Sequence, residues 1–193
     1  MRSIWSLAPL GIIFAASFAH SEMPRPEHPR PDFVRPAWTS LNGSWEFQFD
    51  DRDQGPSEKW YRQKKSFERT IQVPYCFQSK LSGVGDTSFH DVFWYKRIFQ
   101  VPSDWKGKRI RLCFGAVDYR CQVWVNGESQ GMHEGGQTPF SFDITASLYQ
   151  GAENTIVVRA EDPSTDVEQE INGLMTYDLK PKINPEKVRK LQQ

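Results

Sequence analysis

Neither sign of charge prevails in this chain: 24 basic residues stand against 24 acidic ones, and the formal net charge is zero. Such a balance provides no basic surface for nucleic acid and no acidic block that would act as a solvating tail. Cysteine is scarce, with only Cys76, Cys113 and Cys121. Three is odd, so at least one thiol is free or paired between molecules, and no C-x-x-C or Cys/His spacing marks a zinc site. Cys113 and Cys121 fall inside apolar strand patterns and are expected to be small buried side chains. Histidine is confined to His20, His28, His90 and His133. No G-x-S-x-G, H-E-x-x-H, P-loop or helix-opening G-x-G-x-x-G occurs, so no self-contained catalytic motif is present, and neither cofactor nor metal is expected.

Long apolar runs are missing after the N-terminus. Met1-Arg2 is a short positive start, and Ile4 to Phe18 is an apolar run interrupted by Ser6, Pro9, Gly11 and Ser17. Ser17 and Ala19 are small residues two apart, the pattern a signal peptidase reads. The run is too short to cross a bilayer comfortably. Residues 1–19 are therefore expected to be a signal peptide, and the mature chain to be secreted or periplasmic, with no membrane segment after cleavage. No cysteine follows the run, which argues against a lipoprotein anchor. Residues 20–36 hold Pro24, Pro26, Pro29, Pro31 and Pro36, a spacing that forbids helix and favours an extended leader.

The body of the chain is rich in aromatics, at 13% of residues, which suits a substantial core because each buried ring removes a large area from water. Its periodicity is two. Trp45, Phe47 and Phe49 alternate with polar neighbours, and so do Ile110, Leu112 and Phe114, then Val123 and Val125, then Phe140, Phe142 and Ile144. The stretches 93–101 and 155–160 are strand-rich runs. Asn126-Gly127 is a strong hairpin signal, because a type I′ turn needs positive φ at both positions. Six short strands without a convincing long helix before Asp166 predict a sandwich or barrel rather than βαβ units. Residues 54–69 read as an irregular excursion or a short helical turn. Residues 167–193 form a polar, Lys-rich tail that follows neither period for long.

Several stretches resemble the N-terminal part of glycoside hydrolase family 2 enzymes, the β-galactosidase and β-glucuronidase kind. They are PRPDFVRPAWTSLNGSWEFQFD (29–50), IQVPYCFQSKLSGVGD (71–86), FWYKRIFQVPSDWKGKRIRLCFGAVDYRCQVWVNGESQGMHEGGQTPFSFDIT (93–145) and NTIVVRAEDPSTD (154–166). The ordered succession of W-V-N-G, H-E-G-G, P-F-x-x-D-I-T and D-P makes the signal specific. The resemblance implies an all-β, jelly-roll β-sandwich of the galactose-binding-domain-like kind, spanning about residues 37–166. It also implies a sugar-binding role without catalysis, since in the family both catalytic Glu residues lie in a TIM barrel, which alone takes about 250 residues. After Asp166 the sequence leaves the family pattern, so the chain is expected to be a non-catalytic module, with any glycosidase domain encoded separately. Two alternatives stay open: a free-standing secreted carbohydrate-binding protein, and an inert truncated gene product. Cleavage by the module itself would need two carboxylates about 5–9 Å apart, and none of the acidic residues sits in an obvious pair, so no catalytic residue is assigned.

Five residues are candidates for carbohydrate contact. Trp124 faces opposite to Val123 and Val125, which suits a sugar-stacking platform or the second layer of a two-sided strand, and packing is the commoner fate of such a residue. Asp91 precedes a strand, where the family often has a short polar residue reaching toward the sugar; a turn-capping role is the alternative. His133 and Glu134, with Gly135-Gly136, are expected in a loop after the hairpin, where glycine allows close backbone approach. Asp118 sits on another connection between strands. Asn42-Gly43-Ser44 is a glycosylation sequon, a pattern that often arises by chance.

Overall fold

The computed structural model describes residues 23–28, 34–62 and 66–163, so the expected signal peptide, part of the leader and the polar tail lie outside the described residues. Eight strands form the body: β1 (Gly43–Phe49), β2 (Arg69–Val73), β3 (Val92–Gln100), β4 (Arg111–Phe114), β5 (Arg120–Val125), β6 (Glu128–Glu134), β7 (Phe140–Asp143) and β8 (Glu153–Glu161). Every pairing is antiparallel. Six strands make one sheet in the order β2-β1-β3-β8-β5-β6, and β4-β7 make a second. The result is the all-β sandwich expected, and helix among the described residues is limited to short 3₁₀ turns such as Trp60–Arg62. None of those helices is long and apolar enough to cross a membrane.

Alternation sorts the side chains of the large sheet onto two faces. The inner face carries Phe47 from β1, Phe93 from β3, Val123 and Val125 from β5, and Ile156, Val158 and Ala160 from β8. These pack with Ile110, Leu112 and Ile144, contributed by β4, β7 and their flanks. Each large side chain removed from water here contributes about 1.5–3 kcal/mol. The β5–β6 hairpin turns at Asn126 (φ 52°) and Gly127 (φ 82°), as the Asn-Gly pair predicts. Asn126 also donates its side-chain amide to Ser147 O at 2.7 Å and accepts from the Thr155 amide at 2.9 Å, which ties the turn to β8.

The outer face of the large sheet is covered as well. Trp94, Trp124 and Val157 pack there with Phe67, Trp60 and Tyr61, the last three from the 54–69 excursion. Trp124 stacks on Trp94 at 5.4 Å and on Tyr61 at 4.8 Å. Asp50, at the end of β1, anchors this cover. Its carboxylate accepts from the amides of Gln54 and Gly55, both at 2.8 Å, and from Trp94 Nε1 at 2.9 Å. Gly55 has to be glycine, because a Cβ there would lie 2.5 Å from Trp94 Cε2.

Some sequence expectations differ from the structure. The strand β2 was not anticipated, because RTIQV carries a single buried residue, Ile71, too little for periodicity to register. The strand β6, implied only by its turn, has no clean alternation. His133 and Glu134 close β6 instead of lying in a loop, and the loop begins at Gly135. Cys113 is exposed, on the solvent side of a two-stranded sheet, and only Cys121 is buried.

Candidate functional site

Antiparallel order decides which residues can meet. In the run β3-β8-β5-β6, the start of β3, the end of β8, the start of β5 and the end of β6 fall at one end of the sheet. Asp91 precedes β3, Asp118 precedes β5, and Glu134 ends β6, so three candidates separated by up to 43 positions share one rim. Backbone hydrogen bonds stitch the rim together. Asp162 N–H donates to Asp91 O at 2.8 Å, Tyr119 N–H to Glu161 O at 3.2 Å, and Gly135 N–H to Tyr119 O at 2.8 Å. The Asp118 carboxylate rests against Gly136, where a Cβ would collide with it.

The rim is rich in carboxylates. Arg159 binds Asp53 at 2.8 Å and Glu161 at 2.7 Å, and Arg120 binds Glu134 at 2.6 Å and approaches Glu161 at 3.5 Å. Asp162 lies close to Asp118 and Asp91, and its carboxyl is pushed above the usual aspartate range, first by burial and then by those two negative charges. Exposed aromatic surface accompanies the acids: Phe89 is 47% and Tyr119 40% exposed. An open depression of ≈ 520 Å³ lies at this end, lined by residues that include Asp51, Asp53, Phe89, Asp91 and Glu161. Carboxylates that accept from hydroxyl groups, set beside ring faces that can cover C–H surface, suit a polar ligand with an apolar face.

Two candidates have other surroundings. Trp124 is 5% exposed and stacked between two rings, so it offers no face to solvent, and second-layer packing is what the structure contains. His133 stacks on Phe140 at 4.0 Å with Nε2 3.0 Å from Thr138 Oγ1, which spends its ring on the seam between β6 and β7. Phe89 and Asp162 were not singled out from the sequence. The only signal for Phe89 was its place in the alternating triplet Phe89-His90-Asp91, and Asp162 was visible only within the D-P motif. Among the described residues, no group of three or more His, Cys, Asp or Glu is arranged to hold a metal ion.

Residues 38–170 match the family described as "Glycosyl hydrolases family 2, sugar binding domain". A Paenibacillus borealis protein named β-glucuronidase is 32% identical over 118 residues, covering 61% of this chain and 20% of that protein. A Priestia megaterium protein named β-galactosidase is 32% identical over 145 residues, covering 63% of this chain and 14% of that protein. Among solved structures, Lactobacillus rhamnosus β-glucuronidase superposes with a TM-score of 0.58 at 34% identity, over 66% of this chain and 22% of that one. Ruminococcus gnavus β-glucuronidase superposes with a TM-score of 0.59 at 29% identity, over 67% of this chain and 23% of that one. The matched region is thus about a fifth or less of the length of these curated relatives.

Proposed function

The chain belongs to the sugar-binding domains of glycosyl hydrolases family 2, and from that premise we propose that it is a non-catalytic carbohydrate-binding module that presents the rim around Asp91, Asp118 and Asp162 to its ligand. The observation that carries this reading is the convergence of those carboxylates with the exposed rings of Phe89 and Tyr119 at one end of the sheet. In this reading the ligand is a β-glycoside of the galactose or glucuronic acid type, after the names of the relatives. Catalysis belongs to a separate glycosidase domain, and the module acts outside the cytoplasm. Glu134 serves the rim through its ion pair with Arg120 rather than as an acid or base.

The test uses the purified full chain. Titration with methyl β-D-galactoside and methyl β-D-glucuronide, followed by amide chemical shifts, is expected to perturb residues 89–91, 118–119 and 161–162 with millimolar affinity. Absence of any shift with either sugar would remove the carbohydrate role. Turnover of a chromogenic β-glycoside that survives purification and disappears in Glu134→Gln or Asp118→Asn would overturn the non-catalytic assignment.

A further inference from the structure

His90 lies just outside the rim and has an unusual setting. Its side chain is 13% exposed. The ring stacks on Phe49 at 3.5 Å between centroids and meets Phe77 edge-on at 5.9 Å. Nδ1 lies 2.7 Å from Asp51 Oδ1, in the turn after β1. Nε2 is inaccessible, has no hydrogen-bond partner, and lies 3.7 Å from Asp86 Oδ2. An ionised carboxylate only accepts, so the short contact requires the proton on Nδ1. Beyond Asp86, the Arg69 guanidinium lies 3.7 Å from that carboxylate and 5.0 Å from the Phe49 ring.

The neighbours of His90 face the other way. In the sequence Phe89-His90-Asp91, the middle residue plugs inward while both flanking residues are exposed. Each end of the segment is pinned by backbone: Asp86 N–H donates to Phe77 O at 3.1 Å, and Asp91 O accepts from Asp162 N–H at 2.8 Å. Between those pins, Ser88 N–H donates to Asp86 Oδ1 at 2.9 Å within the segment, and the seated imidazole with its bond to Asp51 fastens the segment to the turn after β1.

We propose that His90 is a positioning residue: its Nδ1–H bond to Asp51 ties the segment 86–91 to the turn after β1, and thereby holds Phe89 and Asp91 on the carbohydrate-facing rim. The inference rests on the rim reading above for its ligand, and on the hydrogen bond and the alternation of burial for its mechanism. The hydrogen-bond donor at Nδ1 is what matters, so asparagine, whose amide can occupy that place, should substitute where glutamine should not.

The experiment follows the Asp162 amide, whose bond to Asp91 O reports whether the segment is seated. In the full chain, His90→Gln should speed its hydrogen exchange about tenfold, while His90→Asn should stay within about threefold of the parent. The Val157 amide, in the middle of β8, should be unchanged in both. Asp51→Ala alters a side chain that is 60% exposed and spares the core, so it keeps the test open if His90→Gln fails to fold; it should reproduce the tenfold effect. Affinity for methyl β-D-galactoside or methyl β-D-glucuronide should fall in His90→Gln, whose side chain does not line the depression, whereas Asp51 does line it and Asp51→Ala is read by the amide alone. Unchanged Asp162 exchange in His90→Gln and Asp51→Ala would overturn the proposal, as would His90→Asn behaving like His90→Gln. Sugar affinity untouched while the amide is released would overturn the link to the rim. If the parent chain binds neither sugar, the rim reading fails by itself, and the amide exchange still decides the clasp.

Discussion

Replacing Asp50 with alanine removes the acceptor of three N–H groups at once, those of Gln54, Gly55 and the Trp94 indole. Asp50 is 4% exposed and Trp94 is fully buried, so two of the three donors cannot turn to water. An orphaned buried donor costs about 1–3 kcal/mol. Gln54 lies at the surface and is rehydrated, and removing a buried carboxylate recovers part of its desolvation cost. The net expectation is a loss of about 3 kcal/mol in unfolding free energy, or a fall of about 6–12 °C in Tm at 2–4 °C per kcal/mol for a chain of this size. Urea titration of the full chain, with the m-value held equal, measures it. Asp50→Asn keeps the shape and one accepting oxygen, and should lose about half as much. A loss below about 1 kcal/mol for alanine, or none for asparagine, would refute the claim that this carboxylate anchors the outer cover.

Gly55→Ala should be destabilising by about 1–3 kcal/mol in the same titration, because its Cβ would lie 2.5 Å from Cε2 of a fully buried Trp94. Near-ultraviolet circular dichroism should register the displaced indole, and an unchanged spectrum and midpoint would contradict the close packing. Asp162 gives a pH signature. Its carboxyl titrates above the usual range because burial and the charges of Asp118 and Asp91 disfavour ionisation. The folded state therefore binds that proton more tightly than the unfolded chain, and the associated stability is present in acid and lost as pH rises through the folded value. Asp162→Asn should accordingly raise the urea midpoint at pH 7 and leave it nearly unchanged at pH 3; equal effects at both would refute the assignment.

Much of the sandwich was legible because it rests on local rules. The alternation of Trp45, Phe47 and Phe49, the run through Trp94, and the Asn126-Gly127 turn are each specified within a few residues. β2 escaped because a sheet edge needs only one buried anchor, Ile71, and its pairing with β1 is a long-range choice. Cys113 was expected inside because it sits among apolar neighbours, yet in alternation with Leu112 it falls on the open face of β4.

Periodicity and turn chemistry are properties of neighbouring positions, so the class of fold, the family resemblance and the stock of acidic and aromatic residues follow from the order of residues along the chain. Which residues become partners depends on how distant strands are laid together. Strand order brought Asp91, Asp118 and Asp162 to one rim from the ends of three separate strands. It also placed Trp124 beneath Tyr61, because the 54–69 excursion folds back over the outer face, and no local pattern states which side of a two-sided strand will be covered. Burial and charge proximity depend on what the rest of the chain lays against a residue, and that is set only when the sheet closes.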